Sequence, residues 1–136
     1  NATSFNRKLL LTGEAFNEES REEAGRIATS VENVREVINE LRVAPTSTLG
    51  ARANDSYISS KVKARFVDQK DFHVQQVKVV TEAGTTYLLG LVSQREGDAA
   101  TEIARTTKGV QKVVRVFEYI SEEEARRLDG AAESTK

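Results

Sequence analysis

The chain has 136 residues, room for one ordinary domain or two very small ones. A hydrophobic share of 38% beside 30% charged residues fits a globular chain with a polar surface, and no apolar run approaches the ~20 residues of a membrane span. A formal charge of −1 gives no overall attraction to nucleic acid, and the absence of Cys removes disulfides, thiol catalysis and thiolate metal sites.

The chain opens "NATSFN" without an initiating Met. It reads as a fragment or a mature product, with any signal peptide or lipidation site upstream. This opening can supply a first strand. "RKLLLTGEA" follows as a second strand, and the Ala24/Ile27/Ala28 segment as a helix. A Val-rich strand around Val34 and Val37 completes the first unit, residues 1–44. Residues 45–53 hold the only proline, Pro45, among Ser, Thr and Gly, and read as a linker. Residues 54–67 place Ile58, Val62 and Phe66 at i, i+4 and i+8, which is helical spacing, with Asn54 or Asp55 available as a cap. "VQQVKVV" and "TTYLLGLV" are two strands of a hairpin turned at Gly84. A helix carrying Ala100, Ile103 and Ala104 leads to the strand "VQKVVRVFEYI", which closes a second unit over residues 54–121. Residues 122–136 form a tail. Ser121 and Glu124 stand in capping-box spacing, so a short helix to about Leu128 is expected before a flexible end.

The two units repeat one another. Gly13 matches Gly90 at an offset of 77 residues; Ala24, Ile27, Ala28, Val34 and Val37 match Ala100, Ile103, Ala104, Val110 and Val113 at an offset of 76. The second unit is helix, strand, strand, helix, strand. The first has no counterpart of the opening helix. Within the glycine-bearing strand, Thr86, Leu88, Gly90 and Val92 share one face, and Tyr87, Leu89 and Leu91 the other. The glycine face, shared by both copies, is the better core candidate. Small residues on the following helix suggest that Gly13 and Gly90 permit close helix-on-sheet packing, a structural role. Across the strand, Thr12 and Glu14 look solvated, whereas Leu89 and Leu91 form an apolar patch that the first unit, the tail helix or a partner would cover.

Catalytic patterns are missing: there is a single histidine, His73, read as a turn residue, and no nucleophile elbow or phosphate loop. Glu18–Glu19 and Glu22–Glu23, with Arg21 and Arg26, read as a solvated charged face.

The stretches "YLLGLVSQREGDAATEIARTTKGVQKVVRVFEYI" and "LLLTGEAFNEESREEAGRIATSVENVREVINEL" resemble BON domains. With "NDSYISSKVKARF", the chain is similar to dual-BON lipoproteins of the Gram-negative outer membrane, the DolP type. The resemblance covers roughly residues 1–120. It implies an α+β fold of two tandem BON domains, each an αββαβ sandwich with a mixed three-stranded sheet and two helices. The first lacks its N-terminal helix in this chain, and is incomplete or completed by other protein. The resemblance further implies a non-enzymatic periplasmic protein at the outer membrane, phospholipid binding, a role in envelope integrity, and a lipid anchor upstream; neither cofactor nor metal is implied.

The candidate site is the helix of residues 54–67. Tyr57, Lys61, Lys63 and Arg65 lie around its apolar stripe, with Arg52 before and Lys70 after, against Asp55 and Asp68. Such a set is either a solvated basic face or a membrane-facing one, in which tyrosine enters the headgroup level and cations meet lipid phosphates. The expected partner is therefore an anionic phospholipid surface; the alternative is an envelope protein bound by the Tyr87/Leu89/Leu91 face or by an incomplete first domain. A second basic set, Arg105, Lys108, Lys112 and Arg115, either extends the patch or forms a separate surface. Nucleic acid is not expected, because stacking aromatics are lacking beyond Tyr57 and Phe66.

Overall fold

The computed structural model describes the backbone of residues 1–44 and 49–134, and the side chains of 1–44 and 50–128. The fold is mixed α+β and divides into two compact units, residues 1–53 and 54–136.

In the N-terminal unit, β1 (Ala2–Phe5) and β2 (Lys8–Leu11) form an antiparallel hairpin. Asn6 and Arg7 both adopt positive φ at its tip, as a two-residue turn that follows the strand twist requires. The chain continues through β3 (Glu14–Ala15), α1 (Glu18–Thr29), β4 (Glu36–Asn39) and β5 (Arg42–Val43). β2 pairs in parallel with β4, and β3 with β5. Asn17 caps α1 by accepting the Ser20 N–H at 2.7 Å. Polar bonds tie α1 to its sheet: Asn39 Nδ2 donates to the Arg21 carbonyl, and Arg21 Nε to the Leu41 carbonyl, each at 2.9 Å.

In the C-terminal unit, α2 (Leu49–Val67) leads through a 3₁₀ turn (Val74–Gln76) to β6 (Val77–Glu82), β7 (Thr85–Ser93), α3 (Gln94–Arg105), β8 (Lys112–Ile120) and α4 (Glu122–Ser134). The sheet order is β6-β7-β8; β6 and β7 are antiparallel, β7 and β8 parallel. Ile58, Val62 and Phe66 are buried, and Val62 and Phe66 join Phe72, Val77, Val79, Leu88, Val92, Ala100, Ala104 and Phe117 in one core. Burying each large side chain contributes about 1.5–3 kcal/mol, so this stripe fixes which face of α2 points inward. Ser93 and Glu96 start α3 with a reciprocal capping box.

Several expectations change. α2 begins at Leu49 rather than near Asn54; residues 45–48 of the expected linker lie outside the described residues. Asp55 does not cap the helix. It lies inside α2, buried, and its carboxylate accepts the N–H groups of Ala83 at 2.8 Å and Gly84 at 3.1 Å, satisfying the β6–β7 turn. α4 runs past Leu128 to Ser134, through Ala131 and Ala132, which favour helix; residues 135–136 of the expected flexible end lie outside the described residues.

Gly90 permits a close approach, but not by a helix. A Cβ there would stand 2.3 Å from the backbone oxygen of Gln76, in the turn that leads into β6. Gly13 has a different reason. Its φ of +111° interrupts what is one continuous strand in the second unit, while a Cβ would meet nothing nearer than the Asn1 nitrogen at 3.8 Å. Thr12, expected to be solvated, is fully buried, and the Glu14 side chain is only 12% exposed, paired with Arg42. Ile27, expected to face the sheet, is 58% exposed; Ala28 is the buried member of that helix.

Both faces of β7 are covered. Leu88 and Val92 meet the helices, while Tyr87 and Leu89 are also buried, on the face opposite. α4 packs against β7, with Ala125 buried. Two of the three residues on the face that the sequence offered as a partner surface, Tyr87 and Leu89, are therefore buried, and Leu91 is half-buried.

Candidate functional site

With 3.6 residues per turn, the inward stripe of α2 leaves Tyr57, Ser60, Ala64 and Val67 pointing away from the sheet. All four are exposed, Tyr57 at 62% and Val67 at 66%. Ser60 turns its hydroxyl back onto the Ser56 carbonyl at 3.0 Å, which lowers the polarity of this face. Asp68 follows the helix, exposed.

The four residues singled out from the sequence separate into two groups. Tyr57, Lys61 and Arg65 follow one another at i, i+4 and i+8 along the flank nearest α3. Lys61 Nζ stands 4.7 Å from the centre of the Tyr57 ring and donates to the Lys108 carbonyl at 2.6 Å. Arg65 Nη1 donates to the Ile103 carbonyl at 2.7 Å and to the hydroxyls of Thr106 and Thr107 at 2.9 and 3.0 Å. Arg65 therefore closes the C-terminal end of α3, where unsatisfied carbonyls and the helix dipole favour positive charge, while Lys61 is tied to the loop that follows α3. Arg65 is committed to structure more than its charge alone suggested.

Lys63 lies on the opposite flank. It borders a shallow groove of about 340 Å³ between α2 and the edge strand β6, lined by Ser56, Ser59, Ser60, Val79, Val80 and Thr81. Ser59 donates across it to Thr81 at 2.7 Å. Lys63 has no hydrogen bond or ion pair among the described residues. Cations thus stand on both sides of the outward face.

The second basic set breaks up. Arg105 is paired with Glu102 at 2.5 Å, an interaction that raises the guanidinium pKa and lowers that of the carboxyl. Arg115 donates to Asp98 at 2.8 Å and to Tyr119 at 3.3 Å; its hydrogen bond, followed by that of Gln94, holds Asp98 below its usual value. These arginines, although exposed, are each paired with a carboxylate of their own unit. Val67 was missed in the sequence, although an apolar residue off the Ile58/Val62/Phe66 stripe was the available signal.

Among the described residues, no group of acidic, His or Cys side chains could hold a metal, and no helix is long and apolar enough to cross a membrane. Two further shallow grooves border α1, one of them lined by Glu19, Ser20, Glu23, Ala24 and Ile27.

The BON domain family model matches residues 1–45 and 54–121. The outer membrane lipoprotein DolP of Haemophilus influenzae is 40% identical over 121 residues, and a 21 kDa hemolysin of Actinobacillus pleuropneumoniae 35% identical over 120. Each alignment covers 88% of this chain and 62% of the relative. The osmotically inducible protein Y of Escherichia coli is 33% identical over 108 residues, 77% of this chain and 54% of that protein. The chain thus spans less than two thirds of the length of these relatives.

Proposed function

This chain belongs to the BON domain family, and from that premise we propose that it is a non-enzymatic, phospholipid-binding part of the bacterial envelope. In this reading it is a pair of tandem BON domains, the first without its N-terminal helix. It works on the periplasmic side of the outer membrane, supports envelope integrity, and docks on anionic lipid through α2. The similarity to an outer membrane lipoprotein supports the location.

The observation that carries the reading is the outward face of α2. Tyr57 and Val67 stand exposed where a structural helix would place polar residues, and Lys61, Lys63 and Arg65 flank them. Laid on a membrane, Tyr57 and Val67 reach the headgroup level while the lysines meet phosphates. Each cation near an anionic surface contributes about 1 kcal/mol, screened by salt. The sum is weak and reversible, suited to a protein already held close to the membrane. With Tyr87 and Leu89 buried and Leu91 half-buried, the lipid reading is preferred to a protein adaptor acting through that face.

Co-sedimentation with vesicles tests this. The protein is expected to bind phosphatidylcholine vesicles containing phosphatidylglycerol and to leave pure phosphatidylcholine vesicles in the supernatant. Changing Tyr57 to Ala together with Lys63 to Glu should reduce binding at least about tenfold. Equal binding to both vesicles, or full binding by the double variant, contradicts the proposal.

A further inference from the structure

Of the four cations in the second basic set, Lys108 alone lacks both a carboxylate partner and a place on another face. Arg105 and Arg115 are held by Glu102 and Asp98. Lys112 lies on β8 with its side chain alternating away from that of Val113, which packs on the core beneath α2 and α3. Lys112 therefore faces the opposite side of the sheet. Lys108 sits in the loop between α3 and β8 and is exposed. Its backbone carbonyl receives the Lys61 ammonium at 2.6 Å, and that ammonium lies 4.7 Å from the centre of the Tyr57 ring. Gly109 brings this loop hard against α2: a Cβ there would stand 3.1 Å from Ile58 and 3.7 Å from Lys61 Nζ.

We infer that Lys108 is a headgroup-contacting residue: with Lys61 and Tyr57 it forms a phosphate-reading pole of the membrane surface, carried by the α3–β8 loop rather than by α2. The inference rests on the lipid reading of α2 and adds a residue from a second element. Lys61 spends one N–H on the loop carbonyl and so holds that loop beside Tyr57. The Lys108 ammonium has no hydrogen bond or ion pair among the described residues, so its charge is available to a lipid phosphate. A lysine over the Tyr57 ring and a second lysine on the loop bonded to it distinguish a surface rich in anionic phosphate from a zwitterionic one, where the attraction is cancelled.

The test uses the full chain and vesicles of phosphatidylcholine with and without phosphatidylglycerol. Lys108→Ala is expected to weaken binding to the anionic vesicles about fivefold, and Lys108→Arg to leave it unchanged. Lys112→Ala removes the same charge four residues away, on the other sheet face, and is expected to have little effect. Equal losses for the Lys108 and Lys112 variants would reduce the effect to net charge and overturn the inference. Unchanged binding by Lys108→Ala, with binding lost in Tyr57→Ala, would also overturn it while leaving the lipid reading of α2 intact. If Tyr57→Ala binds fully as well, the lipid reading falls with it.

Discussion

Ile27 and Ile103 hold the same place in the two copies of the repeat, on the helix that crosses between parallel strands. Ile103 packs against the core of its unit, whereas Ile27 stands 58% exposed beside a shallow groove. In the C-terminal unit, α2 lays Val62 and Phe66 into the core that Ile103 borders. In the N-terminal unit, no helix precedes β1 among the described residues, and α1 instead ties itself down through Arg21 and Asn39. The same sequence pattern is therefore core in one setting and surface in the other. Burial is decided by the neighbouring element, not by the residue.

The glycines give the same contrast and the largest expected effect. Gly90→Val forces a side chain onto the Gln76 carbonyl oxygen, a backbone atom that cannot step aside, and should destabilise the C-terminal unit by about 3 kcal/mol or more. Gly13→Ala meets open space but must hold φ +111°, and should cost about 1–2 kcal/mol, mostly in the N-terminal unit. Thermal melts, with amide exchange to assign the loss to a unit, would check both; similar costs for the two substitutions would break the comparison.

The isoleucines come next. Ile103→Ala should cost about 2 kcal/mol by leaving a cavity beside the core, while Ile27→Ala should stay within about 0.5 kcal/mol. Urea denaturation of the two variants measures the difference. A large loss at Ile27 would mean that its face is packed in solution.

The smallest effect is electrostatic. Asp98 and Glu102 in the C-terminal unit are held below their usual pKa values of 3.8 and 4.5 by hydrogen bonds from Arg115 and Arg105. A carboxyl depressed in the folded state stabilises above its unfolded pKa and loses that contribution as pH falls through the folded one. Melting temperature should therefore decline below about pH 4, and less so in Asp98→Asn; both sites are exposed, so the change is small. An unchanged decline in the variant would show that this pair contributes nothing.

The C-terminal unit was legible because two periodicities agreed. Ile58, Val62 and Phe66 marked a helix face, and the alternation around Gly90 marked the strand face that meets the helices, although the opposite face is buried at Tyr87 and Leu89 as well. The role of Asp55 was not legible, because an acidic residue near a helix start suggests a cap, and only the fold shows that the β6–β7 turn comes to meet it. The exposure of Ile27 was hidden for a similar reason: the repeat predicted its neighbours from the other copy. In the candidate site, residue types were readable, but their division between flanks was not. Arg65 looked like a free cation and is occupied by the end of α3; Lys108, grouped with three other basic residues, is the one that stands beside Lys61.

The chain contains no tryptophan, so Tyr57→Trp would place a single reporter on the outward face of α2. Its emission is the most direct measure of whether that face meets lipid. A blue shift is expected when vesicles containing phosphatidylglycerol are added, reversed by salt, and none with pure phosphatidylcholine. Emission that stays at its aqueous position while the protein co-sediments with anionic vesicles would contradict it, because binding would then use another surface.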